Sequence, residues 1–126
     1  MSQLKVGVVG LGLIGGSMAR AYSSAGHVVL AHDINESALG YAELAGIIDG
    51  RLNDNTLPSC DLLFIALYPQ GAVKYLTEIA SKIDRHTVVI DLCGTKKSIC
   101  ECGFALAKEY GFTFVGGHPK IGRAHV

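Results

Sequence analysis

Apolar runs of strand length alternate along this chain with segments whose apolar residues return every three or four positions. The runs Lys5–Val9, Val28–His32, 62–66, Val88–Asp91 and Thr113–Val115 read as strands, with a short third strand at Ile47 and Ile48. Ile14, Met18, Ala21, Tyr22 and Ala25 recur at helical spacing, which predicts a helix packing that face on a sheet, Met18 and Tyr22 serving as core. Gly26 is placed to close this helix, and Asn35 to cap a second one through Ala38, Leu39, Ala42 and Leu44. Residues 49–58 are polar and turn-rich. Pro69 sits where a helix tolerates proline, ahead of Val73, Leu76, Ile79 and Ala80, and a last helix over Lys97–Tyr110 ends at Gly111. Strands alternating with helices predict an α/β fold: a doubly wound, mostly parallel sheet in the order 3-2-1-4-5-6, with helices on both faces.

The turn after the first strand carries chemistry. Gly10-Leu11-Gly12-Leu13-Ile14-Gly15 follows Val6 to Val9 and is followed, at the end of the second strand, by Asp33. A glycine run alone is as readily an ordinary turn. Strand, glycines, helix and acid in this order spell a Rossmann-type dinucleotide-binding unit. Gly10 permits the tight turn, Gly12 lets backbone N–H groups approach a pyrophosphate, and Gly15 lets helix and strand pack closely. Asp33 would accept the adenosine ribose hydroxyls and repel a 2′-phosphate, and Ile34-Asn35 offers no arginine to receive one, so the expected cofactor is NAD.

Ligands of such sheets bind beyond the carboxyl ends of the strands, so the residues following each strand are the remaining candidates. Leu67, Tyr68 and Pro69 would flank the nicotinamide side of the cofactor, or simply mark a strand ending at proline. The expected cofactor-binding set is thus Gly10, Gly12, Leu13, Ile14, Gly15, Asp33, Leu67, Tyr68 and Pro69. His118, between two glycines and a proline, is placed to accept a proton from a substrate hydroxyl; from position alone it reads equally as a surface-loop histidine. Thr95, Lys96 and Lys97 follow Gly94 where a helix begins, and could hold a substrate carboxylate or form a solvated helix face, with Lys96 the nearer to the strand end. His27, His32, His86 and His125 read as structural or solvated.

Composition narrows the classes. The 126 residues suit one domain, and 11 Lys and Arg against 11 Asp and Glu leave no basic field for nucleic acid or an anionic membrane. Residues 4–14 are apolar but interrupted by glycines and lack a small-residue cleavage site, so no signal peptide or membrane span is expected, and a cytoplasmic protein is. Cys60, Cys93, Cys100 and Cys102 lack the spacing of a zinc site and read as reduced, mostly buried thiols, so no metal is expected; Cys93 lies nearest the proposed site.

Three motifs together resemble the nucleotide-binding half of the prephenate and arogenate dehydrogenase family: Gly10 to Ser17, Asp91-Leu92-Cys93-Gly94-Thr95-Lys96, and Phe114-Val115-Gly116-Gly117-His118-Pro119. The resemblance covers about residues 4–120. It implies an oxidoreductase of tyrosine biosynthesis that oxidises prephenate, or its amino analogue arogenate, with NAD or NADP, decarboxylation then aromatising the ring; Asp33 is what favours NAD. It also implies that His118 is the catalytic histidine. Many members carry a serine where this chain has Gly94, so Thr95 is the neighbouring hydroxyl in question. The last six residues, Ile-Gly-Arg-Ala-His-Val, are what ATC GGA AGA GCA CAC GTC encodes, the start of a common sequencing adapter. Residues 121–126 are therefore expected to be a non-native tail on a dinucleotide-binding domain of residues 1–120, with Arg123 and His125 given no role. Relatives carry a C-terminal helical domain that dimerises and completes the substrate pocket; its absence predicts a fragment inactive alone. A β-hydroxyacid dehydrogenase or imine reductase cofactor domain also fits residues 10–31 but does not predict Gly-Gly-His-Pro. A non-catalytic NAD-binding regulatory module predicts indifference to His118→Ala.

Overall fold

A computed structural model of the chain describes residues 3–92 and 97–116. Six strands form one parallel sheet: β1 (Lys5–Val9), β2 (Val28–His32), β3 (Gly50–Arg51), β4 (Leu62–Ile65), β5 (Val88–Asp91) and β6 (Thr113–Val115). Their order is β3-β2-β1-β4-β5-β6, as the βα alternation predicts, with Val9 opposite both His32 and Ile65 in register. Four helices cover the sheet: α1 (Leu13–Ser24), α2 (Glu36–Leu44), α3 (Pro69–Ile79) and α4 (Lys97–Tyr110).

Strand pleating divides the core in two. Val6, Val8, Val29, Ala31 and Phe64 point to one face, where Ala19 of α1 with Leu39 and Ala42 of α2 pack on them. Val9, Leu30, Leu63, Ile65 and Val89 point to the other, under Ala72 and Leu76 of α3 and Ile99 of α4. Gly7 belongs to this second face because a side chain there would meet Leu63 Cδ1 at 2.8 Å. Parallel strands place all their carboxyl ends along one edge, which is where the ligand crevice forms.

The capping signals hold. Asn35 accepts a hydrogen bond from the Ala38 amide at 3.2 Å, Pro69 occupies the first turn of α3, and Gly26 and Gly111 follow α1 and α4 with φ of +90° and +91°. Three expectations are corrected. The third strand is not at Ile47 and Ile48: with Gly46 at φ +74°, the amides of Ile47 and Ile48 both donate to Ala42 O and finish α2. Ile48 still packs into the core, and pairing with Leu30 and Ala31 begins only at Gly50, inside the segment read as polar turns.

The buried line of α1 is Gly15 and Ala19, flanked by half-buried Met18 and Tyr22, whereas Ile14, Ala21 and Ala25 are exposed. Small residues win this face because they let the helix lie close to β1; the larger apolar residue Ile14 is turned towards the crevice instead. In α2 the apolar run misleads at Leu44, which is 91% exposed while Leu39 and Ala42 are buried. Of the cysteines, Cys60 is buried and its thiol is pushed up to about 11, chiefly by desolvation, while Cys100 and Cys102 are only half-buried. Cys93 lies outside the described residues.

Candidate cofactor crevice

The crevice is built from the glycine turn outward. Gly10 has φ +94°, and a Cβ there would lie 2.5 Å from Ala66 O, so the turn presses directly against the end of β4. At Gly15 a Cβ would fall 1.7 Å from Gly10 O, because the first turn of α1 rests on the turn's own carbonyl. Gly12 differs from both. Nothing lies within 4 Å of the Cβ it lacks, so the emptiness there faces the crevice and not the protein.

Gly12 is also the N-cap residue of α1; no side chain caps that helix, and no acidic residue stands in its first turn. Among the described residues, the positive end of α1 therefore carries no cap or acidic group of its own and opens on the crevice. Gly10, Gly12, Leu13, Ile14, Gly15, Asp33, Ile34, Ala66, Leu67 and Tyr68 line a cavity of about 420 Å³ at this end. A second cavity of about 340 Å³ continues past Asp33, Ile34 and Leu67 between the end of β2 and α3. Both are of the size that takes a small molecule, and together they make one elongated groove.

Asp33 stands at the junction. Its Oδ2 accepts the Leu11 amide at 2.7 Å, its Oδ1 accepts the Asn35 amide at 2.9 Å, and the carboxylate lines both cavities. The Gly10 amide donates to His32 O at 2.8 Å, a second tie between the glycine turn and β2. Each carboxylate oxygen keeps a lone pair for a ligand hydroxyl.

Of the residues expected here, Gly10, Gly12, Leu13, Ile14, Gly15, Asp33, Leu67 and Tyr68 are brought together. Pro69 lines neither cavity; it follows Tyr68 in the first turn of α3, where its fixed φ suits the start of a helix. Tyr68 itself is 88% exposed at the crevice mouth. His118, Thr95 and Lys96 lie outside the described residues. Lys97 begins α4 as an exposed side chain 3.9 Å from Glu101, a solvated face.

The far cavity holds residues that sequence reasoning passed over. His32 stacks on Tyr75 at 5.4 Å with 19° between the rings, and Lys74 and Glu78 flank the same groove from α3. Burial pushes the Tyr75 hydroxyl up to about 12, so it stays a neutral phenol at any working pH. A signal for them existed: β2 ends at His32, next to Asp33, and Lys74, Tyr75 and Glu78 fall within the helix that follows β4. Among the described residues, no group of His, Cys, Asp or Glu could hold a metal ion, and no helix is long and apolar enough to cross a membrane.

Comparison with known proteins agrees with this geometry. Residues 18–125 match the family model described as prephenate dehydrogenase, nucleotide-binding domain. The prephenate dehydrogenase of Bacillus subtilis (strain 168) is 30% identical over 97% of this chain and 34% of its own length. Among solved structures, a prephenate dehydrogenase from A. aeolicus, in complex with hydroxyphenyl propionate and NAD+, superposes with a TM-score of 0.77 at 25% identity, covering 94% of this chain and 42% of that one. Synechocystis arogenate dehydrogenase gives 0.76 at 26% identity over 82% of this chain and 37% of that one. The chain thus spans about a third of the length of the curated relatives it matches. Its Rossmann sheet, its glycine-lined crevice and these matches place it in one family: this chain belongs to the prephenate dehydrogenases, as their nucleotide-binding domain.

Proposed function

We propose that the chain is the NAD-holding domain of an enzyme that oxidatively decarboxylates prephenate, or arogenate, on the route to tyrosine. The observation that carries the cofactor is the junction at Asp33, where an uncapped helix end and its open glycine meet a carboxylate with lone pairs to spare. In this reading the pyrophosphate lies over Gly12 and the first-turn amides of α1, held by hydrogen bonds and the helix dipole. The ribose hydroxyls donate to Asp33, and the adenine enters the far cavity between Ile34 and Leu67, beside His32 and Tyr75. Tyr68, which lines the near cavity only, stands on the nicotinamide side.

NAD, when bound, supplies a hydride acceptor. His118 takes the proton of the ring hydroxyl as that carbon is oxidised; loss of the ring carboxylate as carbon dioxide then leaves a phenol. Lys96 and the Thr95 hydroxyl hold the substrate near the histidine. Substrate closure and dimerisation belong to a helical domain of the kind the longer relatives have room for.

Titrating the 126-residue chain with NAD and with NADP by calorimetry tests the cofactor assignment. NAD is expected to bind the tighter, because Asp33 repels a 2′-phosphate and Ile34-Asn35 supplies no cation for it. Equal or tighter NADP binding would overturn it. In a chain completed with a substrate domain, His118→Ala is expected to lower kcat by about 10² to 10⁴-fold.

A further inference from the structure

We infer that Asp33 is a positioning residue for the glycine turn as well as the reader of the ribose, so that charge selection against NADP and the grip on the pyrophosphate are one device. The inference rests on the nucleotide reading above and goes further into how the site works. Reading a ribose requires only that a carboxylate stand at the end of β2. Here both carboxylate oxygens are already engaged before any ligand arrives, Oδ2 by the amide of Leu11 and Oδ1 by that of Asn35.

Leu11 is the residue between Gly10 and Gly12, and its amide is 22 residues away in sequence from the carboxylate that holds it. Asn35 in turn caps α2 through Ala38. Asp33 therefore joins the glycine turn, the end of β2 and the start of α2 through charged hydrogen bonds, which are stronger than neutral ones. Glycines make the turn possible but also leave it conformationally loose; this bond is what selects the conformer that opens Gly12 to the crevice.

The two roles make opposite forecasts for removal of the carboxylate. If Asp33 only repels a 2′-phosphate, its neutralisation raises NADP affinity. If it also holds the turn, the phosphate site common to both nucleotides is damaged, and NADP gains nothing.

The experiment compares the 126-residue chain with Asp33→Ser and with the isosteric Asp33→Asn, whose amide cannot accept both backbone donors. Hydrogen exchange at the Leu11 amide is measured without nucleotide, and NAD and NADP affinities are measured by calorimetry. The expected result is faster Leu11 exchange in both variants, a fall of roughly 10- to 100-fold in NAD affinity, and no rise in NADP affinity. NADP binding that strengthens in Asp33→Ser overturns the inference, as does Leu11 exchange unchanged in both variants. If the unsubstituted chain bound neither nucleotide, the cofactor reading would fail, while the exchange comparison would still decide whether Asp33 holds the turn.

Discussion

The three motif glycines are chemically identical and do three different things. At Gly15 an added methyl would collide with the backbone carbonyl of Gly10, which cannot swing aside as a side chain can. Gly15→Ala is accordingly expected to cost about 3 kcal/mol or more of stability, read as a lowered denaturation midpoint. Gly12→Ala meets nothing within 4 Å, so it should keep the fold within about 1 kcal/mol, the difference between glycine and alanine at an N-cap. Its methyl would nevertheless stand where a pyrophosphate must approach, and nucleotide affinity should fall tenfold or more in a calorimetric titration. A Gly12→Ala chain as destabilised as Gly15→Ala would contradict this division of labour. The division was legible in the sequence because spacing and glycine identity carry it. The second task of Asp33 was not, since a bond spanning 22 residues depends on where the turn sits after folding.

At the scale of elements, α4 is fastened to the sheet by a ring lying under a glycine. A Cβ on Gly103 would be 2.4 Å from Phe114 Cζ, and Phe104 meets the same ring edge-on at 5.2 Å. Gly103→Ala should destabilise by about 1–3 kcal/mol from overpacking, less up to about 1 kcal/mol returned by alanine's preference for helix. Adding Phe114→Leu should recover part of that loss, and a double-mutant cycle by urea denaturation would show the coupling; additive effects would mean the ring is free to move away. Helices and long strands were readable because periodicity and caps agree at Asn35, Pro69, Gly26 and Gly111. What defeated the pattern was competition at boundaries. Ile47 and Ile48 look like a strand, yet their amides are taken by Ala42 O, and a two-residue strand at Gly50–Arg51 has no periodicity to display. His32 was passed over for a related reason, since a lone histidine closing a strand reveals its neighbours only when α3 brings Tyr75 against it.

Across the whole molecule, the two edges of the sheet have separate jobs. Opposite the crevice, at the amino ends of the strands, His86 faces two carboxylates: Nδ1 contacts Asp84, and Nε2 lies 3.2 Å from Asp61, which also accepts the Lys5 amide. The side-chain bond to Asp84, foremost, raises the His86 pKa, and the bond to His86 lowers that of Asp84. A raised imidazole stabilises the fold fully below its unfolded value of about 6.5 and loses that contribution as pH rises through the folded one. A lowered carboxyl contributes above its unfolded value of about 4 and loses it as pH falls through the folded one. Stability should therefore decline as pH climbs above the imidazole's unfolded value of about 6.5, and His86→Ala should flatten that limb of a thermal melting series. Nucleotide affinity should not follow, because the crevice lies at the other edge. A decline that persists unchanged in His86→Ala would locate the titrating group elsewhere. The architecture, from strand order to cofactor edge, followed from alternation alone; this clasp did not, because Asp61 and the loop of Asp84 and His86 become neighbours only when β4 and β5 pair in the sheet.

The shortness of β3 has a consequence for how copies of the chain meet one another. A sheet ends in unpaired amides and carbonyls that invite strands from other molecules, and aggregation often begins there. At this border an incoming strand would find two residues of backbone, one of them Arg51, whose guanidinium is already shared between Glu36 and Glu43 of α2. The border is too short to template a ladder and too charged to attract an apolar one.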